Sequence, residues 1–192
     1  TAVVNYRMHV NERSKNRGIL AADNLAGRFN PVGRYIKAWN DRGDGSRAGW
    51  AIIDCMMNLP ILYWASDLIG DDRFKRIAMA HADSSIEHHI RPDGSVIHCV
   101  EHDRDTGDTL ETFGGQGYAV GSSWSRGQAW GLYGYTMMYR VTGLERYLEQ
   151  AVHIADYLIP RLPEDAIPNW DFDAEKQMKD SSAGSIMASA LI

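Results

Sequence analysis

Two tryptophans and an arginine stand close together in residues 121–131, Gly-Ser-Ser-Trp-Ser-Arg-Gly-Gln-Ala-Trp-Gly. Trp124 and Trp130 offer flat faces that can stack on a sugar ring, and Arg126 offers a planar fork of N–H donors that matches a carboxylate or a sulfate. The glycines among them let backbone approach a ligand closely. Each tryptophan taken alone is more simply a core residue at the start of a helix. The cluster as a whole favours a ligand site.

Asp54 is the residue whose surroundings best suit proton transfer. It lies in Trp-Ala-Ile-Ile-Asp-Cys-Met-Met, residues 50–57, with apolar side chains on both sides. Because burial disfavours the ionised form, we expect its pKa to be raised, and a carboxylic acid that stays partly protonated near neutral pH suits a general acid. A structural aspartate that caps a helix or binds backbone N–H groups fits the same pattern. The residues alone leave the two interpretations about equal.

Two long segments carry a resemblance to a known family. The run SSWSRGQAWGLYGYTMMYRVTG, with AGWAIIDCMMNLPILYWAS upstream of it, resembles the unsaturated glucuronyl hydrolases of glycoside hydrolase family 88. The similarity extends through almost all of the 192 residues. A complete member of that family is about twice as long and forms a six-hairpin helical barrel. We therefore expect a fragment, in which residues 1–192 form a single incomplete toroid domain that corresponds to the middle portion of the enzyme.

The resemblance assigns roles to individual residues. It implies that Asp54 is the catalytic aspartate, and it places five further residues at the substrate site: His98, Gln116, Trp124, Arg126 and Trp130. Without the resemblance, a histidine in an apolar strand is more often structural, and a glutamine in a glycine-rich loop is more often solvated. A second important aspartate of the family has no match here, and we expect it to precede this segment.

The resemblance also implies an activity. Members remove a 4,5-unsaturated glucuronic acid from the non-reducing end of lyase-generated oligosaccharides by hydrating the C4=C5 double bond, and they need no cofactor. The expected partners are thus oligosaccharides that contain an unsaturated uronate. One alternative is a related group that acts on unsaturated rhamnogalacturonan fragments, although it resembles Arg-Gly-Asn-Gly-Trp where this chain has Arg-Gly-Gln-Ala-Trp. The other alternative is a helical-repeat protein that binds carbohydrate without catalysis.

Hydrophobic patterning predicts repeated helical hairpins. Residues 48–69 and 125–142 are apolar on most sides, as buried helices are, and an amphipathic helix follows each of them, at 71–90 and 144–161. Pro60 should kink or interrupt the first buried helix. Pairs of this kind, about 70 residues apart, indicate an α/α toroid or solenoid. Together with the resemblance, they predict an all-α chain that forms part of an (α/α)6 six-hairpin toroid.

The connection between the two hairpins, residues 92–123, is too long for a plain turn. Residues 95–100 and 109–113 have the character of short strands around the turn at 105–108, which predicts a β-hairpin-like flap over residues 95–113. Such a flap would lie at the mouth of the toroid, where long loops and helix ends converge on a site. Residues 29–39 also indicate extended structure, and Asp180 is a good N-cap for a third buried helix.

Composition and motifs exclude several other classes of function. The net charge of −5 argues against nucleic acid or an anionic membrane surface as a partner, and no apolar run has the length of a membrane span. Cys55 and Cys99 lie among apolar neighbours and are most simply buried thiols. The histidines lack the spacing of metal ligands, so we expect no metal site.

Overall fold

The computed structural model describes residues 2–40, 43 and 47–192, which are largely helical. The helices are α1 (Ala2–His9), α2 (Glu12–Ala26), α3 (Leu59–Ile69), α4 (Arg73–His89), α5 (Ser125–Thr142), α6 (Glu145–Leu158) and α7 (Ser181–Leu191). The strands are short: β1 (Phe29–Asn30), β2 (Tyr35–Ile36), β3 (Trp50–Ile52), β4 (Cys99–His102) and β5 (Thr109–Phe113). Two 3-10 segments, Ile53–Asn58 and Ile159–Arg161, complete the pattern. The predicted predominance of helix is confirmed.

Two helical hairpins form the frame of the molecule. In each hairpin the first helix ends at a glycine in the left-handed conformation, Gly70 with φ 69° and Gly143 with φ 68°, and a second helix packs back on the first. This backbone conformation is costly for a residue that has a Cβ atom, which explains why both helices end at glycine. Helix α5 contacts α3, α6 and α7, so the side-by-side packing of the two hairpins is confirmed.

The first predicted helix is wrong over its N-terminal half. Instead of one helix over 48–69, the chain forms strand β3, the 3-10 segment Ile53–Asn58 and then α3. The apolar run has no helical periodicity, and its β-branched and aromatic residues suit pairing with β4, where Ile52 lies opposite Cys99. Pro60 does not kink a helix, because it lies in the first turn of α3, where its missing N–H is not needed.

The predicted flap is present and is larger than expected. Strands β4 and β5 pair antiparallel around the turn, and β3 adds a third strand on the other side of β4. The first strand of the flap begins at Cys99 rather than at residue 95. The extended structure expected near residue 30 is the small β1–β2 hairpin. Since β3 runs directly into the 3-10 segment, the flap sheet is joined to the segment that carries Asp54.

Other expectations about single residues hold in the structure. The Asp180 carboxylate caps α7 by accepting a hydrogen bond from Ala183 N–H at 3.0 Å. Cys55 and Cys99 are free and buried, and burial raises the pKa of both thiols to about 12. No helix within the described ranges is long and apolar enough to cross a membrane.

Two buried histidines predict that the fold loses stability in mild acid. His81 and His89 are 0% and 1% exposed, and burial lowers the pKa of each to about 3 from an ordinary value of 6.5. Between pH 6.5 and 3 the unfolded chain binds these two protons and the folded chain does not, so stability falls as the pH falls through this window. Each histidine should cost about 2 kcal/mol between pH 6.5 and pH 5.

Urea unfolding at pH 7 and pH 5 measures this loss. His89→Asn preserves a donor toward the Ile97 carbonyl, which the ring Nδ1 contacts at 2.9 Å, and removes the titrating group. We expect this variant to be less stable at pH 7 and to show a flatter dependence on pH. Equal stability of the parent chain at the two pH values would contradict the prediction.

Candidate active site

Asp54 and His98 form the centre of the candidate site. Asp54 lies in the first turn of the 3-10 segment, and its Oδ2 is 3.3 Å from His98 Nε2, although the two atoms are not aligned as a hydrogen bond. The same Oδ2 is buried and has no hydrogen-bond partner among the described residues, while the side chain as a whole is 18% exposed. The carboxyl group therefore has an unsatisfied oxygen inside the protein and an opening to solvent, which suits a group that exchanges protons with a bound ligand.

The glycine-rich loop after the flap fixes the protonation pattern of His98. The backbone N–H of Gln116 donates to His98 Nδ1 at 3.0 Å, so Nδ1 acts as the acceptor. In a neutral imidazole the proton must then reside on Nε2, which faces Asp54. Gly115 makes this contact possible, because it has φ +61° and a Cβ atom at this position would lie 2.2 Å from Nδ1.

Replacement of Gly115 by alanine should abolish the preference of His98 for one tautomer. The added methyl group clashes with the imidazole and forces the loop away, so the Gln116 hydrogen bond is lost. We expect ¹⁵N NMR of the parent chain to show Nδ1 of His98 as an unprotonated, pyridine-type nitrogen and Nε2 as a protonated one. Gly115→Ala should give a mixture of tautomers.

Gly121→Ala is the matched control for that experiment. Gly121 also has a positive φ, +91°, but a Cβ atom there would meet nothing within 4 Å. It therefore imposes the same kind of backbone strain without the clash. A protonated Nδ1 in the parent chain, or the same tautomer shift in both variants, would contradict the assignment.

Trp124 lies between His98 and Arg126 in the cluster. Its ring centroid is 4.3 Å from that of His98, and the Arg126 guanidinium carbon lies 4.9 Å from the Trp124 ring. The side chain is only 3% exposed. Trp124 therefore has little free surface on which a sugar could stack, and its geometry favours a role in shaping the site and supporting His98.

Arg126 is paired within the protein. Its Nη1 donates to Asp180 Oδ2 at 2.8 Å, and its side chain remains 35% exposed. The other oxygen of Asp180 caps α7, so one carboxylate links the arginine to the start of the last described helix. An arginine has five N–H donors, so this pair leaves donors for an anionic ligand. Sequence analysis identified Asp180 only as a cap, since a contact across 54 positions leaves no local signal.

Gln116 and Trp130 are placed differently from the other four. Gln116 joins the cluster through its backbone N–H, while the residue itself is exposed. Trp130 is half-buried and its ring contacts that of Tyr133 at 6.1 Å, with no described contact to Asp54 or His98. It lies one helical turn beyond Arg126, on the same side of α5. The structure thus brings Asp54, His98, Gln116, Trp124 and Arg126 into one chain of contacts and leaves Trp130 beside it.

Comparison with characterised proteins identifies the relatives of this chain. No family model matches it. It is 38% identical over 184 residues to an unsaturated glucuronyl hydrolase of Bacillus sp. (strain GL1), covering 94% of this chain and 49% of the relative. It is 36% identical over 176 residues to an unsaturated chondroitin disaccharide hydrolase of Streptococcus pyogenes serotype M1, covering 90% and 44%.

Solved structures show the same relationship. The unsaturated glucuronyl hydrolase of Bacillus sp. GL1 superimposes with a TM-score of 0.94 at 36% identity, over 99% of this chain and 51% of that one. The chain is a homologue of unsaturated glucuronyl hydrolases. A variant of an unsaturated glucuronyl hydrolase with dGlcA-Glc-Rha-Glc gives the same TM-score, identity and coverage. A variant of the unsaturated glucuronyl hydrolase of Streptococcus agalactiae, complexed with dGlcA-GalNAc6S, superimposes with a TM-score of 0.78 at 29% identity, over 99% of this chain and 46% of that one. The chain spans about half the length of the relatives that it matches.

One further carboxylate of this homologue was missed by sequence analysis. Asp171 is fully buried, and its Oδ2 accepts hydrogen bonds from Tyr118 N–H and Ser122 Oγ, both at 2.8 Å. It fastens the glycine-rich loop from outside the cluster and so helps to hold the Gln116 N–H against His98. Residues 163–180 have no hydrophobic period, so nothing in the sequence singled it out.

The described parts of this homologue contain no group of three or more histidine, cysteine, aspartate or glutamate side chains that could hold a metal ion. His81 and His89 use their Nδ1 atoms on backbone groups of Ile36 and Ile97. These two buried histidines therefore serve the fold.

Proposed function

We propose that the protein carrying this chain is a glycoside hydrolase that removes the 4,5-unsaturated glucuronic acid from the non-reducing end of lyase-generated oligosaccharides. The observation that supports this most directly is the Asp54–His98 pair, a partly exposed carboxyl group facing a protonated Nε2 at 3.3 Å. The named activities of the homologues, and the unsaturated oligosaccharides in two neighbouring structures, point to the same substrate class.

The proposed reaction is the hydration of a double bond. Asp54 donates a proton to C4 of the unsaturated ring and then accepts a proton from the water molecule that attacks C5. Carbon 5 thereby gains a hydroxyl group, and the resulting hemiketal opens and rearranges so that the glycosidic bond breaks. A single carboxyl group serves as donor and acceptor, unlike the paired carboxylates of most glycosidases. His98 Nε2–H faces the carboxylate at 3.3 Å, so its positive end would stabilise the negative charge that remains when the proton has left, once the two groups align.

The residues around Asp54 and His98 would orient the substrate. Arg126 lies at the exposed side of the cluster and has donors left over from its pair with Asp180, so it would hold the uronate carboxylate in a charge-assisted hydrogen bond. The exposed amide of Gln116 would bind the same group, and His98 would also contact sugar hydroxyls or water. Trp130 lies one turn along α5 and is half-buried. It would offer a sugar the accessible aromatic face that the buried Trp124 cannot offer.

The packing of the helical hairpins supports a proposal about the complete domain. We propose that residues 1–192 form one incomplete domain within an (α/α)6 toroid, because two hairpins of matched design already lie side by side and the relatives are about twice as long. No cofactor enters this proposal. The site would lie where the flap, the glycine-rich loop and the start of α5 meet.

Turnover by the full-length protein tests the proposal. Unsaturated disaccharides derived from chondroitin, from heparin and from an unsulfated polymer would be offered separately, and loss of ultraviolet absorbance from the conjugated double bond would be followed. We expect hydration of at least one of them, with release of the reducing sugar. Binding of all three without loss of absorbance would overturn the enzymatic proposal and favour a carbohydrate-binding protein.

A further inference from the structure

A cavity between the β1–β2 hairpin and the turn of the flap is lined by positive charges. It has a volume of about 270 Å³, and Arg28, Lys37 and Arg104 contribute to its walls, with the buried Ala48 beside them. None of the described residues that line it is acidic, and none belongs to the candidate active site. The cavity is much larger than the roughly 30 Å³ that a water molecule occupies in the liquid, so it has room for an anionic group.

Arg28 is held in place by uncharged partners. Its Nε donates to the Lys37 carbonyl at 2.9 Å, and its Nη2 donates to the Ala38 carbonyl. These carbonyls orient the guanidinium but do not balance its charge. An arginine has five N–H donors, so donors remain for a ligand in the cavity. Arg28 therefore presents a fixed positive group whose counterion is not supplied by the surrounding backbone.

Lys37 and Arg104 also lack counterions. Among the described residues, neither of them forms an ion pair. Arg104 lies in the turn of the flap, and Asn30 Nδ2 donates to its carbonyl at 3.0 Å, which ties this turn to β1. The neighbouring Asp103 does not line the cavity, and its Oδ1 accepts hydrogen bonds from two N–H groups of the turn. The hairpin and the flap thus bring separate cations to one place.

This local charge is opposite to the charge of the whole chain. The net charge is −5, yet three cations converge on one cavity without a described carboxylate among them. Like charges repel, so an anion that enters the cavity relieves an unfavourable interaction as well as forming hydrogen bonds. A sulfate or phosphate monoester presents three terminal oxygens, one for each cation, whereas a carboxylate presents two. The arrangement therefore favours a tetrahedral oxyanion.

We propose that this cavity is a second binding site, separate from the active site, that holds a sulfate ester of a sulfated oligosaccharide between Arg28, Lys37 and Arg104. Preference for a tetrahedral anion follows from the three cations. The choice of a sugar sulfate as its source rests on the proposed function, because sulfated polymers are among the sources of lyase-generated oligosaccharides.

A saturated heparin tetrasaccharide is a suitable probe, because it has no C4=C5 double bond and cannot be hydrated. Calorimetric titration of the full-length protein at low ionic strength should show saturable binding. The double variant Lys37→Gln/Arg104→Gln should weaken binding about tenfold, since two charged partners of the sulfate are lost. Arg28 is left unchanged because it also holds the backbone after β2. Arg126→Ala should bind the probe as the parent does, and loss of binding in that variant alone would place the probe in the active site and overturn the proposal.

The matched control is Arg13→Gln/Arg76→Gln. Both arginines are exposed on helices and lie outside the cavity, and this double variant changes the net charge by the same amount. We expect it to bind like the parent. Equal weakening by the two double variants would indicate attraction to the overall charge and would overturn the proposal, as would absence of binding by the parent.

Two further ligands test the chemistry of the anion. The desulfated tetrasaccharide keeps its carboxylates and should bind at least about tenfold more weakly, and equal binding would overturn the assignment to sulfate. Tighter binding of glucose 6-phosphate than of the sulfated probe would assign the cavity to a phosphate ester instead.

Turnover separates this proposal from the proposed function. Lys37→Gln/Arg104→Gln should hydrate an unsulfated unsaturated disaccharide at the rate of the parent, and a slower rate would show that these cations shape the active site. If the parent hydrates no unsaturated disaccharide, the proposed function fails while the binding measurements still test the cavity.

Discussion

Asp54→Asn in the full-length protein should lower kcat by ~10²–10⁴-fold with little change in KM. Asparagine keeps the shape of the side chain and an oxygen acceptor, so the contact with His98 and the local fold are preserved. It cannot donate a proton to C4 or accept one from the attacking water. The loss therefore falls on the transition state and not on substrate binding. Steady-state kinetics on an unsaturated disaccharide provide the measurement.

Asp105→Asn is a suitable control for this variant. Asp105 is exposed in the turn of the flap, and its replacement changes the net charge by the same amount. We expect kinetics like those of the parent protein. Near-normal turnover by Asp54→Asn would remove Asp54 from the chemistry, and a large rise in KM without a fall in kcat would assign it to binding instead.

Arg126→Ala should act mainly on substrate binding. If the guanidinium holds the uronate carboxylate equally in the ground state and the transition state, KM rises and kcat changes little. We expect a cost of about 2–5 kcal/mol, because a charged ligand group is left without its partner in a partly buried site. The dissociation constant of the inactive Asp54→Asn protein, with and without the Arg126 substitution, measures this cost directly.

A second variant is needed because Arg126 forms an ion pair with Asp180, which caps α7. Loss of Arg126 also strips a partner from Asp180, which is only 7% exposed and caps α7, so part of the effect could come from the fold. Asp180→Asn keeps an oxygen for the cap and releases the arginine from its internal anion. We expect this variant to bind the substrate as tightly as the parent or more tightly. Equal weakening by both variants would show that Arg126 acts by holding α7 in place.

Local signals account for what the sequence predicted correctly. Helix α5 was placed at 125–142 because an apolar, aromatic segment ends at a glycine, and both hairpins were found through such glycines. The flap followed from two short strands around a turn. The segment 48–58 was assigned to the wrong structure because a continuous apolar run does not distinguish a buried helix from a strand that pairs with a distant partner.

The features that the sequence did not predict depend on long-range contacts and on burial. The charge of Arg126 is balanced by Asp180, and the glycine-rich loop is anchored by Asp171, through contacts that span about fifty positions. Gln116 was selected for its side chain, whereas the contact to His98 is made by its backbone, which any residue type supplies. A buried tryptophan and one open to solvent look alike in a sequence, so Trp124 and Trp130 could not be separated before the structure was known.

The junction between β3 and the 3-10 segment has a mechanical consequence. Asp54 follows a strand that pairs with β4, and Ile53 N–H donates to the His98 carbonyl at 3.1 Å, so the separation between acid and imidazole is set at the base of the flap. The tip of the flap is closed by its own contacts, in which Asp103 accepts hydrogen bonds from Asp105 and Thr106 N–H. Insertions or substitutions at the tip can therefore reshape what the flap touches while the reactive pair keeps its spacing. Under the proposed function, the tip of the flap is thus a place where substrate preference can change while the Asp54–His98 separation stays the same.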